Sequence, residues 1–323
     1  MKILVTGCAG YIGSKLVPHI LKTYPDAWIT GVDNLMYNQH SVMSLLCHPR
    51  FKFICGDANE LLDDIDRVPE IDLREFDFVI PLAARVGMPI CRKNESEAFR
   101  VNYDAVAQLY YQREGAVHPK VIFPTTNSMY GEGQGEDNYC DETSPTNPIS
   151  SYATDKQTAE LEVLSNGGVT LRLATVFGLS PRPRLDLLVN DFTYRAIRDG
   201  SLVLFEKNFK RNYVHIDDVC RAFCFCMENF DAMQGQCYNL GLEDANLSKL
   251  ELAELIRDTL EIPLEIFDGE GEDVDKRNYL VSNKKILDAG FIFNKGLKEG
   301  ILELARAYPA LRELSISTRM GNA

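Results

Sequence analysis

No stretch of this chain is long and apolar enough to read as a membrane span. The opening run Met1-Lys2-Ile3-Leu4-Val5-Thr6-Gly7 is too short for the apolar region of a secretory leader. The expectation is a cytoplasmic protein without a membrane partner. Positive charge is scarce as well: 34 Lys and Arg stand against 47 Asp and Glu, a formal net charge of −13, with an isoelectric point near 4.9. Such a surface repels phosphate backbones and anionic lipid heads, which argues against nucleic acid and membrane surfaces. Paired cysteine spacing is missing. The nine cysteines are scattered and odd in number, as expected of reduced thiols rather than a disulfide framework. Their densest group, Cys220, Cys224 and Cys226, sits in an apolar helical run and reads as small core hydrophobes. No His/Cys/Asp cluster has metal-ligand spacing, so no metal is expected. Neither an internal repeat nor a low-complexity linker interrupts the chain.

What is present is a regular alternation. Short aliphatic runs at Lys2–Thr6, Trp28–Asp33, Phe51–Cys55, Phe76–Pro81, Lys120–Pro124 and Val169–Ala174 read as strands. Between them lie amphipathic stretches at Gly13–Tyr24, Glu95–Glu114 and Tyr152–Ser165 that read as helices. Strands alternating with helices predict an α/β fold, a doubly wound parallel sheet. After Phe177-Gly178 the pattern changes. A Pro- and Arg-bearing loop precedes a helix at Leu187–Arg198 and a short strand at Leu202–Phe205. Asn212–Ile216 reads as a strand returning to the main sheet. Helices follow at Lys249–Thr259 and Leu297–Tyr308, with an acidic loop at Asp268–Asp275 and a polar end from about Ser315. The expected organisation is a nucleotide-binding unit over 1–177, rejoined by about 205–240, and a smaller interwoven C-terminal lobe over 178–323.

Gly7-Cys-Ala-Gly10-Tyr-Ile-Gly13 joins the first strand to the first helix. Gly7 permits a tight turn, Gly10 lets the backbone approach a pyrophosphate, and Gly13 lets helix and strand pack closely. Asp33 closes the second strand about 20 residues later, where an acid binds a ribose 2′-hydroxyl. A carboxylate there repels a 2′-phosphate, and Asn34 and Leu35 supply no cation, so NAD is favoured over NADP. Asp57 is placed for the adenine amino group. Tyr152 and Lys156 stand one helical turn apart and share a face. A phenol is a poor base near neutral pH, and a neighbouring ammonium together with a positive nicotinamide ring favours its phenolate. The strand ending in Thr125-Thr126-Asn127-Ser128 brings hydroxyls that can orient a substrate.

Together these residues resemble the extended short-chain dehydrogenase/reductase family, in its nucleotide-sugar branch. The supporting features run through nearly the whole chain. They include Leu82-Ala83-Ala84, Asn102, Tyr130-Gly131, Arg211-Asn-Tyr-Val-His-Ile-Asp-Asp218 and Tyr238-Asn-Leu-Gly241. The resemblance implies NAD held by Gly7, Gly10, Tyr11, Ile12, Gly13, Asp33, Asn34, Asp57, Ala58, Leu82, Ala83, Ala84, Asn102, Tyr152 and Lys156. It implies Thr126 at the reacting hydroxyl, Tyr152 as base, and Lys156 on the nicotinamide ribose. Arg85, Asn127, Ser128, Arg182, Arg184, Arg211 and Arg277 are the candidates for a sugar diphosphate, guanidinium forks being suited to phosphate. Asp186 departs from the Asn often found there in related epimerases. Within the branch, the run Leu173–Phe192 and the two segments Lys210-Arg-Asn-Tyr213 and Asp275-Lys-Arg-Asn-Tyr279 are most similar to the GDP-heptose 4-dehydrogenases. That implies oxidation at C4 of a nucleotide-activated sugar, with a 4-epimerase as the alternative. A 4,6-dehydratase is disfavoured, because Asn127 and Ser128 stand where dehydratases carry an acidic pair. The resemblance also implies a homodimer through the helices at Glu95–Glu114 and Tyr152–Ser165.

Overall fold

The structure is a computed structural model that describes residues 1–63, 71–110, 119–132, 139–269 and 277–312. The expected acidic loop at Asp268–Asp275 and the tail from Ser315 fall largely or wholly outside those residues. β1 (Lys2–Thr6), β2 (Trp28–Asp33), β3 (Phe51–Cys55), β4 (Phe78–Pro81) and β5 (Lys120–Thr126) join Val169–Leu173 and Cys237–Leu240 in one sheet of seven strands. Its order is Cys237–Leu240, Val169–Leu173, β5, β4, β1, β2, β3. Every pairing is parallel, with Ile3 opposite Ile29 and Phe78, and Leu171 opposite Tyr238. Parallel strands covered on both faces need apolar side chains on both. The inner strand β1 complies, with Ile3, Leu4 and Val5 fully buried. Chain order reverses between β1 and β4, which opens a crevice at their carboxyl ends.

Helix α1 (Gly13–Thr23) buries Leu16, Val17, Ile20 and Leu21. It packs on the same side as helix Ile216–Glu228, where Cys220, Cys224 and Cys226 are core residues. On the other side, helix Ser151–Ser165 begins at a cap in which the Ser150 hydroxyl accepts from Ala153 N at 3.2 Å. Its buried face is partly charged. Glu160 meets Arg172 of strand Val169–Leu173 at 2.6 Å and accepts from the Thr125 hydroxyl at 2.8 Å. Glu160→Ala would leave the Arg172 guanidinium buried and unpaired, so chemical denaturation should show a loss of about 3–5 kcal/mol.

Two expectations are corrected. Asn212–Ile216 does not return to the main sheet. Strand Lys210–His215 pairs with Thr175–Phe177 and with Asn246–Ser248 in a separate sheet, and the return is made by Cys237–Leu240. The cause is a splice at Ala174: the run Val169–Phe177 serves the main sheet with its first half and the second sheet with the rest. The expected helix over Glu95–Glu114 is broken into Glu95–Phe99, a widened π turn at Arg100–Asp104, and Ala105–Ala107, while 111–118 lie outside the described residues. Beyond the splice, a second core gathers Phe177 of strand Thr175–Phe177 with Phe192, Leu252, Ile256, Ile301, Leu304 and Tyr308 from three helices, Leu188–Asp199, Lys249–Leu260 and Leu297–Arg312. Among the described residues, no helix is long and apolar enough to cross a membrane.

Candidate active site

The carboxyl ends of β1 and β4 border a cavity of about 800 Å³. Gly7 leaves β1 at φ +69°, and a Cβ there would lie 2.6 Å from Ala83 N. A Cβ on Gly13 would run into Gly7 O and lie 2.7 Å from Cys8 Cα. Gly7, Gly10, Tyr11, Ile12 and Gly13 all line the cavity. No side chain caps the start of α1. Ser14 N and Lys15 N already donate to the Gly10 and Ile12 carbonyls, so the N–H groups of Tyr11, Ile12 and Gly13 are the ones offered to an anion. Gly13→Ala is therefore expected to weaken dinucleotide binding at least tenfold in a calorimetric titration, because the turn must open to admit the methyl group.

Asp33, Asn34, Asp57 and Ala58 form one end of the cavity. The Asp33 carboxylate accepts from Ala9 N at 3.0 Å, Leu35 N at 2.9 Å and the Gln39 amide at 3.1 Å. Burial pushes its pKa up, while the Leu35 and Ala9 N–H groups and the Arg182 charge pull it back. Asp57 accepts from Asn59 N at 2.9 Å and from Arg100 at 3.3 Å. Leu82, Ala83, Ala84 and Arg85 form the adjoining wall. Asn102, expected at the cofactor, does not line the cavity. Its amide instead grips the Arg85 backbone, accepting from N at 2.9 Å and donating to O at 3.1 Å. It holds the wall from behind, where the π turn places it.

The far end carries Thr126, Ser128, Tyr152 and Lys156. Lys156 is buried. Its ammonium donates to Pro124 O at 3.2 Å and lies 4.2 Å from the Phe123 ring centroid. Burial lowers its pKa to about 7. Tyr152 moves opposite to the expectation from its lysine neighbour. Burial pushes the phenol up to about 12, the Cys91 thiol adds to the rise, and Arg184 and Arg277 oppose it. Without a bound cation, desolvation outweighs the charges in reach. The Thr126 hydroxyl donates to Ser128 Oγ at 2.8 Å and accepts from Ser128 N at 3.1 Å. Arg277 also donates to Ser128 Oγ, so the Ser128 hydroxyl proton is the one left to offer a ligand.

Of the arginines expected at a diphosphate, Arg85, Arg182, Arg184 and Arg277 line the cavity, and Arg211 does not. Arg211 is buried behind Arg277, donating to the Lys210 and Arg277 carbonyls. Asn127 is also buried off the cavity, and neither its amide N nor its O has a partner among the described residues. Arg184 is held in a fork by Asp186, at 2.7 and 2.5 Å. Arg85 pairs with Glu97 at 3.3 Å. Tyr130, the other tyrosine near Thr126 in sequence, is fully buried, its hydroxyl tied to Asn239 and Arg172. His215 caps helix Ile216–Glu228 through Nδ1, which accepts from Asp217 N. Lys295 lies between Asp217 and Glu303 at 2.7 and 2.5 Å, so an ammonium already fills the one place where three potential metal ligands meet among the described residues.

A family model described as the NAD dependent epimerase/dehydratase family matches residues 3–241. The chain belongs to that family. The site fits the cofactor in the family's name: a bare turn and an uncapped helix for a pyrophosphate, an acid at one end and a Tyr/Lys pair at the other. Among relatives, the low-salt glycan biosynthesis protein Agl12 of Haloferax volcanii is 27% identical, over 79% of this chain and 81% of its own. The UDP-glucuronic acid 4-epimerase of Bacillus cereus superposes with a TM-score of 0.81 at 23% identity, over 96% of this chain and 100% of its own. The dTDP-glucose 4,6-dehydratase of Bacillus anthracis does so with 0.78, also at 23% identity, over 97% of this chain and 98% of its own. In this family member, sequence reasoning missed Tyr37, Gln39, Arg92 and Tyr279 as lining residues. Tyr279 lay in a segment already singled out. Tyr37 and Gln39 carried no signal, because a loop following a strand has no period to read.

Proposed function

We propose that the chain oxidises C4 of a nucleoside-diphosphate sugar, as the GDP-heptose 4-dehydrogenases do. NAD supplies the hydride acceptor when bound. Tyr152 takes the proton from the sugar hydroxyl, and Thr126 and Ser128 orient that hydroxyl. Lys156 holds the nicotinamide ribose and supplies positive charge, while Arg184 and Arg277 receive the diphosphate. The observation that carries this reading is the convergence of Tyr152, Lys156, Thr126, Ser128, Arg184 and Arg277 on one cavity.

Loss of water is disfavoured. The carboxylates lining the cavity among the described residues are Asp33, Asp57 and Asp186. The first two belong to the end away from Tyr152, and the third is forked to Arg184. A 4-epimerase shares every residue named and differs in the fate of the keto sugar. Incubation with GDP- and UDP-sugars separates the readings. Bound NADH that persists until a keto acid is added is expected; a redox-silent C4 epimer, or a product lighter by one water, would overturn the proposal. We also propose a homodimer through helix Ser151–Ser165 and segment Glu95–Phe99, which expose Leu161 and Phe99 by 63% and 41%. Leu161→Glu should then shift the light-scattering mass from dimer to monomer.

A further inference from the structure

Arg182 and Arg184 flank Pro183 and look interchangeable in sequence, yet the structure gives their guanidinium groups different partners. The Arg184 charge acts on Tyr152 and is forked to Asp186. The Arg182 guanidinium lies 4.6 Å from the centroid of the Tyr37 ring, and its charge acts on Asp33. Tyr37 belongs to the loop after β2, beyond the acid expected at the cofactor ribose. We propose that Arg182, contributed by the loop after Gly178, is a cofactor-positioning residue that fixes the adenosine-ribose end of the NAD site, and not a ligand of the substrate diphosphate.

The loop is stapled in place before it reaches Arg182. The Tyr11 hydroxyl donates to Gly178 O at 2.7 Å, the Ser180 hydroxyl donates to Tyr11 O at 2.7 Å, and the Ser180 and Ser14 hydroxyls lie 2.9 Å apart. The glycine turn therefore carries the loop with it. Arg182 itself is 4% exposed, with Nη1 donating to Pro183 O at 2.9 Å. The segment it covers needs holding, since Leu35 and Asn38 stand at φ 51° and 50°, a costly conformation for residues other than glycine. Asp33 holds that segment from below through Leu35 N and Gln39, and Arg182 closes it from above through Tyr37. A planar cation stacked on an aromatic ring is well suited to this work. Its charge also opposes the upward push that burial gives the Asp33 carboxyl.

The test is calorimetric titration of the apo protein with NAD, without sugar, so that its outcome is independent of the proposed reaction. Arg182→Gln is expected to weaken NAD binding about tenfold or more, and Tyr37→Leu should act in the same direction. Arg182→Lys, which keeps the charge but not the planar stack, should fall between. In the NAD-saturated protein, affinity for GDP or UDP should be unchanged by Arg182→Gln and weakened by Arg184→Gln. Unchanged NAD affinity in both Arg182→Gln and Tyr37→Leu would overturn the proposal, as would an Arg182→Gln loss confined to GDP or UDP. Unchanged thermal midpoints of the apo variants separate these effects from misfolding.

Discussion

Tyr152→Phe should reduce turnover about 10²–10⁴-fold, the range for loss of a general base, while NAD affinity stays close to that of the parent. The change removes one oxygen and keeps the ring, so the cavity wall remains. Tyr130, the other tyrosine near Thr126 in sequence, cannot take over, because its hydroxyl is buried and bonded on both sides. The measurement is single-turnover absorbance of enzyme-bound NADH after mixing with a nucleotide sugar. A loss smaller than tenfold would remove Tyr152 from the role of base. The pH profile carries a second expectation. In the chain alone, burial holds Tyr152 near 12 and Lys156 near 7. The phenolate and the ammonium then barely coexist, and the empty site is a weak base. A phenolate at Tyr152, one helical turn from Lys156, would favour the charged form of the lysine. In the loaded enzyme the alkaline limb of the rate profile should therefore fall well below 12.

Lys156→Met should abolish most of that shift and, at the same time, stabilise the apo protein. The folded state depresses the lysine from 10.5 to about 7 because burial penalises its charge. Between those two values the unfolded chain binds more protons than the folded one, so parent stability rises with pH across that window. Below about pH 7 the folded ammonium carries the whole penalty. Each pKa unit corresponds to about 1.4 kcal/mol, so removing the charge is worth a few kcal/mol at neutral pH, or several degrees in the thermal midpoint. Lys156→Met should flatten the pH dependence of the midpoint between about 7 and 10 while cutting turnover. A midpoint that fell, with its pH dependence intact, would show that the hydrogen bond to Pro124 and the contact with Phe123 outweigh the desolvation. A buried lysine that destabilises the fold is expected where catalysis needs the charge.

Much of the molecule was legible from residue order. The β-α-β opening, the glycine turn, Asp33 at the end of β2 and the Tyr152/Lys156 spacing are local features. Each is governed by backbone geometry over a few residues, and a strand buried on both faces announces itself by its apolar run. The same locality limited what could be read. The splice at Ala174 depends on which strands lie beside Val169–Phe177, and that depends on where residues 210–248 return. The widened turn at Arg100–Asp104 keeps helical spacing in sequence and so reads as plain helix.

By itself, then, the sequence determined the fold class, the cofactor and the Tyr152/Lys156 pair, because those rest on short-range spacing and on residue chemistry. Only the tertiary structure sorted the arginines. It buried Arg211 behind Arg277, forked Arg184 to Asp186, and set Arg182 over the Tyr37 ring. Direction of approach is set by packing between units far apart in the chain, and alternating Arg and Pro in a loop carry no record of it. The direction of the Tyr152 shift was likewise decided by burial, which the surroundings impose and the pair does not encode.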